Sequence, residues 1–224
     1  MSNLHLFKDS ITLTDYDVLI QELTAAVEAG TSALRKLLFG TESPDLYSNH
    51  GTYQPGQHNH CEGLDSERYT EKRLCKCMYY LNSTHSKCCD KCEFRDCFEI
   101  VGDYQITDYE VPAYYYGDDI GEIDLIISND DTHYATEVKP YKGNGETLLR
   151  MIAEIMTYIE GYPAGTYKKA IAFFEKNRDD GKKTKQQEEY ESADPALFAL
   201  LKKADITVFR FEEVSEKAYR ICKL

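Results

Sequence analysis

The sequence predicts an α/β fold, and three observations carry that prediction. The runs GEIDLIIS and HYATEVKPY have strand character and are joined by the turn-forming SNDDTH. The segment TLLRMIAEIMTYIEGY that follows has apolar residues at helical spacing. Beyond it KKAIAFFEK and ITVFRF are further apolar strands, separated by a helical stretch over Pro195–Lys203.

The elements follow in order. Residues 10–39 read as one helix, with Thr14 or Asp15 placed to cap it and Gly40 to stop it. Val18, Leu19, Leu23, Val27, Leu34 and Leu37 recur near helical spacing, as a packing helix requires. Residues 41–97 change character: they are rich in Ser, Gly, Asn and His and hold seven of the eight cysteines. This stretch reads as an insertion with little core of its own, ordered by metal. YEVPAYYY carries a proline and is therefore an irregular or edge strand. The hairpin, the amphipathic helix ending at Gly161, and the strand KKAIAFFEK come next. Glu175–Glu189, EKNRDDGKKTKQQEE, reads as a mobile charged loop. AYRICKL is a final strand. The division expected is a core of residues 1–40 and 98–224 with an insertion at 41–97.

Length and composition narrow the function. With 224 residues, 42% apolar and 29% charged, the chain has room for one domain with a proper core plus an insertion. No apolar run approaches the roughly 20 residues that span a bilayer. The start MSNLHLFKDSITL lacks the pattern of a secretory signal, so a cytoplasmic protein without a membrane partner is expected. A net charge of −13 argues against binding nucleic acid through a basic surface alone. It leaves room for carboxylates that hold divalent cations against phosphate.

The hairpin carries the chemistry. If it turns at Asp130-Asp131, Asp124 lies opposite Glu137, with Cβ atoms about 4.5–5.5 Å apart. Lys139, two residues on, shares that sheet face, as does Glu122. Paired carboxylates need neutralising, and hard oxygen ligands favour Mg²⁺ or Mn²⁺. A lysine beside them completes what metal-assisted phosphodiester hydrolysis requires. A surface hairpin with a cross-strand salt bridge would carry the same residues. The next helix adds Arg150, Glu154 and Tyr158 on one polar stripe, separate from its Leu/Ile stripe.

Gly121-Glu122-Ile123-Asp124, Glu137-Val138-Lys139 and Glu154-x₃-Tyr158 together resemble the PD-(D/E)XK nuclease superfamily, in its RecB-like and lambda-exonuclease-like branch. The order helix, three strands, helix, strand agrees with the restriction-endonuclease-like core of that family. The resemblance implies a Mg²⁺- or Mn²⁺-dependent nuclease with catalytic residues Asp124, Glu137, Lys139, Glu154 and Tyr158. Asp124, Glu137 and the backbone carbonyl of Val138 would ligate the ion. Lys139 would position the attacking water and stabilise developing charge. Glu154 and Tyr158 would shape the site or contact nucleic acid, and Glu110 would be a supporting acid. Ile123 stands where the family often has proline, and Glu154 where it usually has glutamine.

The cysteine-rich segment reads as a zinc site. Cys75 and Cys77 form one pair, Cys89 and Cys92 another, about a dozen residues apart. Cys61, Cys88, Cys97, His58, His60 and His85 are alternative ligands. An iron–sulfur cluster is the rival, but only Cys222 lies C-terminal to the core. The expected partner is nucleic acid, chiefly DNA, aided by a protein partner or a second copy of the chain. Phosphate contacts are expected from the cysteine module and from Lys182, Lys183 and Lys185. Two alternatives stand beside a nuclease: a degenerate nuclease fold that binds without cutting, and a zinc-stabilised protein-interaction module.

Overall fold

A computed structural model describes residues 16–44, 71–82, 98–113, 122–142 and 146–224. Three helices come first: α1 (Tyr16–Ala29), α2 (Thr31–Phe39) and α3 (Glu71–Asn82). Strands β1 (Glu99–Val101), β2 (Gln105–Pro112), β3 (Glu122–Asn129) and β4 (Thr132–Lys139) follow. Then come α4 (Leu148–Tyr158), β5 (Lys168–Phe174), α5 (Lys185–Glu191), α6 (Pro195–Lys203), β6 (Ile206–Ser215) and β7 (Ala218–Lys223).

The strands form one mixed seven-stranded sheet in the order β1-β7-β6-β5-β4-β3-β2. β4, β5 and β6 run parallel, joined by the crossovers that carry α4, α5 and α6. β2, β3 and β4 form an antiparallel meander at one end. β2 is an edge strand, as its proline requires. The hairpin turns at Asp130-Asp131, pairing Leu125 with Thr136 and Asn129 with Thr132. This is the register expected from a turn at these two residues, and Asp130 takes the positive φ of 47° that the tight turn needs.

Apolar layers cover both faces. On one, α1, α2, α4 and α6 pack on Ile126, Ala135, Ile171, Phe173 and Val208. On the other, α3 packs on Leu125, Ile127, Val138, Phe174, Phe209 and Phe211, a layer dominated by aromatic rings in edge contact. Among the described residues no helix is long and apolar enough to cross a membrane.

Three expectations need correction. Residues 16–39 are two helices, because Gly30 has φ 100° and breaks the turn; the proposed caps Thr14 and Asp15 lie outside the described residues. Gly40 does end α2, in the left-handed conformation. Residues 71–82 of the supposed insertion belong to the core, since Leu74, Cys75, Met78, Tyr79 and Tyr80 are buried against the sheet. The loop 175–189 runs into α5, where the Thr184 side chain accepts from Gln187 N and both Gln186 and Gln187 are buried. The short strand β1, parallel to β7, was not expected.

Candidate active site

β3 and β4 part company just where the motif residues begin. Their pairing ends at Leu125↔Thr136, while β4 continues beside β5 as far as Lys139. Asp124 lies beyond the last rung, and its Oδ2 accepts a 2.7 Å bond from Val138 N. A side chain thus takes the backbone donor that continued pairing would have satisfied. N–H and C=O of one strand residue project to the same edge, so the Val138 carbonyl opens on the same notch.

The notch gathers charge from both layers. Lys139 Nζ lies 2.6 Å from Glu137 Oε1, 3.1 Å from Glu71 Oε2, 2.9 Å from Glu146 Oε2 and 3.5 Å from Glu154 Oε2. Arg150 donates through Nε and Nη2 to Glu154 Oε1, at 2.9 and 2.8 Å, and lies 3.4 Å from Glu146. Among the described residues five carboxyl groups therefore face two cations, a formal excess of three negative charges when all five are ionised, in a site where Lys139 is only 3% exposed. Tyr158 is buried one helical turn beyond Glu154 and feels the Glu137, Glu154 and Asp124 charges. At the rim Lys72 Nζ is 2.8 Å from Glu122 and 4.0 Å from Glu110.

Protonation follows from this crowding. Burial, then Glu71, raise the Asp124 carboxyl well above its usual range, against the pull of Lys139 and the Val138 N–H. Burial and Asp124 do the same to Glu137. Burial also lifts Glu71, with Lys139 opposing it. Glu154 is the exception: burial would lift it, but Lys139 and Arg150 hold it below the carboxylate range. Burial favours the neutral amine of Lys139, yet the Glu137, Glu154 and Glu71 charges outweigh it, so its amine stays a cation. Burial and the nearby carboxylates push the Tyr158 phenol up.

The donor set fits a hard divalent cation. One oxygen each from Glu71, Asp124 and Glu137 lie within 4.8 Å of one another. Oxygens on opposite sides of one ion stand about 4.2 Å apart for Mg²⁺ and about 5 Å for Ca²⁺. Glu137 Oε2 and Glu154 Oε2 are buried without a hydrogen-bond partner among the described residues.

The structure therefore brings together Asp124, Glu137, Lys139, Glu154 and Tyr158. The alternation and the i, i+4, i+8 spacing foresaw their common face. It adds Glu71 and Glu146, which sequence reasoning missed. Glu146 begins the turn before α4 and has no distinguishing signal. Glu71 opens a helix whose Leu74, Cys75, Met78 spacing was visible but was overshadowed by its cysteines.

The zinc expectation changes with that helix. Residues two apart on an α-helix point about 200° apart, so Cys75 and Cys77 do not face one ion. Cys75 is wholly buried in the aromatic layer, and burial, then the Asp124 and Glu71 charges, raise its thiol. Cys89, Cys92, Cys61, Cys88, Cys97, His58, His60 and His85 lie outside the described residues.

No family model matches the chain, and no curated protein matches it. Among solved structures it is similar to Pyrococcus furiosus SfsA in complex with Ca²⁺, at 20% sequence identity and a TM-score of 0.26. The match covers 54% of this chain and 53% of that one, so the chain spans about half the length of SfsA.

Proposed function

We propose that this protein is a Mg²⁺- or Mn²⁺-dependent nuclease of the PD-(D/E)XK type, with DNA as its substrate. One observation carries the reading: Glu71, Asp124 and Glu137 converge to within 4.8 Å beside a buried lysine, in a site with more negative than positive charge. Asp124, Glu137 and Glu71 would hold the ion, with the Val138 carbonyl on the same edge. When bound, the ion polarises a phosphoryl oxygen and makes water a stronger acid.

The chain's own groups define the rest. Lys139 is a cation, so it acts by charge: it orients a water and stabilises the negative charge that grows on the attacked phosphate. Glu154, kept ionised by Lys139 and Arg150, anchors the amine from the α4 side. Glutamine is usual in the family at this position; here the acid is balanced by its pairing with Arg150. Tyr158 lines the same helix face and shapes the approach of the strand.

With Cys75 in the core, a zinc site in the cysteine-rich stretch draws its ligands from the other cysteines and histidines there. Zinc, rather than iron, is the proposed metal, tested by elemental analysis of the purified protein.

Incubation with linear and circular DNA and Mn²⁺, beside Lys139→Ala, tests the nuclease reading. Cleavage that the variant loses supports it. A gel shift without cleavage assigns the chain to a degenerate nucleic-acid binder. Neither cleavage nor shift leaves the protein-interaction module.

A further inference from the structure

A second feature opens one residue past the catalytic lysine. A cavity of about 250 Å³ is walled by Pro140 and Tyr141 on one side and by Asn177 and Lys182–Gln186 on the other. Lys182, Lys183 and Lys185 line it, with Asp180 the one acid. The strip 175–185 holds five basic and three acidic residues in a chain of net charge −13. Basic charge is thus concentrated where the rest of the surface is acidic. The volume falls below the roughly 300 Å³ at which pockets begin to take drug-sized ligands, and suits a single phosphodiester unit.

The cavity is tied to the catalytic centre through the β4–α4 connection. Gln186, in its wall, donates through Nε2 to the Glu146 carbonyl at 2.8 Å. The Glu146 carboxylate lies 2.9 Å from Lys139 Nζ. Glu189 on the same short helix accepts from Leu148 N with both oxygens, at 3.0 and 3.1 Å, capping α4. The short helix that begins at Lys185 therefore grips the start of the helix that bears Glu154 and Tyr158.

We infer that this cavity binds a backbone phosphate of the substrate strand next to the scissile one, a step that rests on the nuclease reading. The local ion pairs make room for it: Lys182 is 3.3 Å from Asp180, and Lys183 pairs with Glu191 at 2.5 Å, both at exposed positions that a phosphate dianion or diester can outcompete. The contact reads charge and no base, so it orients a strand without selecting sequence.

Oligonucleotide binding in EDTA, where no cutting occurs, tests the inference. Lys182→Ala/Lys185→Ala should weaken binding of a short DNA strand about tenfold and lower the salt slope of log Kd by about one or more. Lys202→Ala/Lys203→Ala on α6, which lines no part of the cavity, removes the same charge and should leave binding within about twofold. Equal losses in the two variants, or no loss in the first, overturn the inference. So does failure of the native protein to bind any strand. Competition by inorganic phosphate separates a free anion from a strand: loss of phosphate binding in the first variant with strand affinity unchanged also overturns it. Cleavage with cavity-independent binding leaves the nuclease reading intact while removing this one. Cavity-dependent binding without cleavage does the reverse.

Discussion

Replacing Lys139 by methionine separates the two roles assigned to this amine, holding the carboxylates together and acting on phosphate. The amine is 3% exposed and within 3.5 Å of Glu137, Glu71, Glu146 and Glu154. Methionine keeps most of the volume and removes the charge. Removing one partner of a buried ion pair costs about 3–5 kcal/mol, because the remaining charge is stranded. Here the formal excess of negative charge among the described groups grows from three to four. At a denaturant slope of about 2 kcal/mol per M, the urea midpoint in EDTA should fall by about 2 M. Mn²⁺ should recover part of this. An ion at a hundred times its Kd adds about 2.7 kcal/mol. The gain should exceed that of the native protein, in which the amine competes for the same oxygens. Equilibrium urea unfolding with EDTA and with Mn²⁺ measures both. A variant that unfolds at the native midpoint in EDTA, or gains no more from Mn²⁺ than the native protein does, would refute the reasoning.

Other expectations are direct. Asp124→Asn keeps an oxygen for the Val138 N–H, so circular dichroism should show an intact fold while cleavage falls at least about a hundredfold. Glu71→Gln should weaken Mn²⁺ about tenfold or more by titration calorimetry, although the residue belongs to none of the three sequence motifs. In EDTA, stability should fall as pH rises above the ordinary carboxylate range. Asp124, Glu137 and Glu71 are raised in the folded state, so their contribution is full below their unfolded pKa values and is lost as pH climbs through the folded ones. Glu154 is lowered and works in the opposite sense, losing its contribution in acid. A pH series of urea midpoints that is flat or rising from pH 5 to 8 would contradict this. Thr147→Ala removes the side-chain cap of α4 and should cost about 1 kcal/mol by the same unfolding measurement.

The sequence was most legible where periodicity was strict. The hairpin register followed from placing the turn at Asp130-Asp131, and α4 from the spacing of Leu148, Ile152, Ile155 and Met156. The site on their shared face followed with them. Three parts were harder for physical reasons. Gly30 sits inside a continuous apolar pattern, and only its backbone angle shows that the pattern bends there. Thr184 and Gln187 carry a capping-box signal, but a run of charges masked a helix whose buried face is made of glutamines. In α3 the cysteines suggested metal, whereas Cys75 serves as a small apolar residue under an aromatic layer. Glu71 reaches the site by tertiary packing alone, so no local spacing announces it.

The early end of the β3–β4 ladder leaves a seam in the sheet, stitched at that point by one carboxylate on one peptide N–H. A cation shared by the two strands would sew the seam shut. The Val138 amide then becomes a built-in reporter: its hydrogen exchange should slow when Mn²⁺ is added, while amides in the β5–β6 interior, already fully laddered, keep their rates.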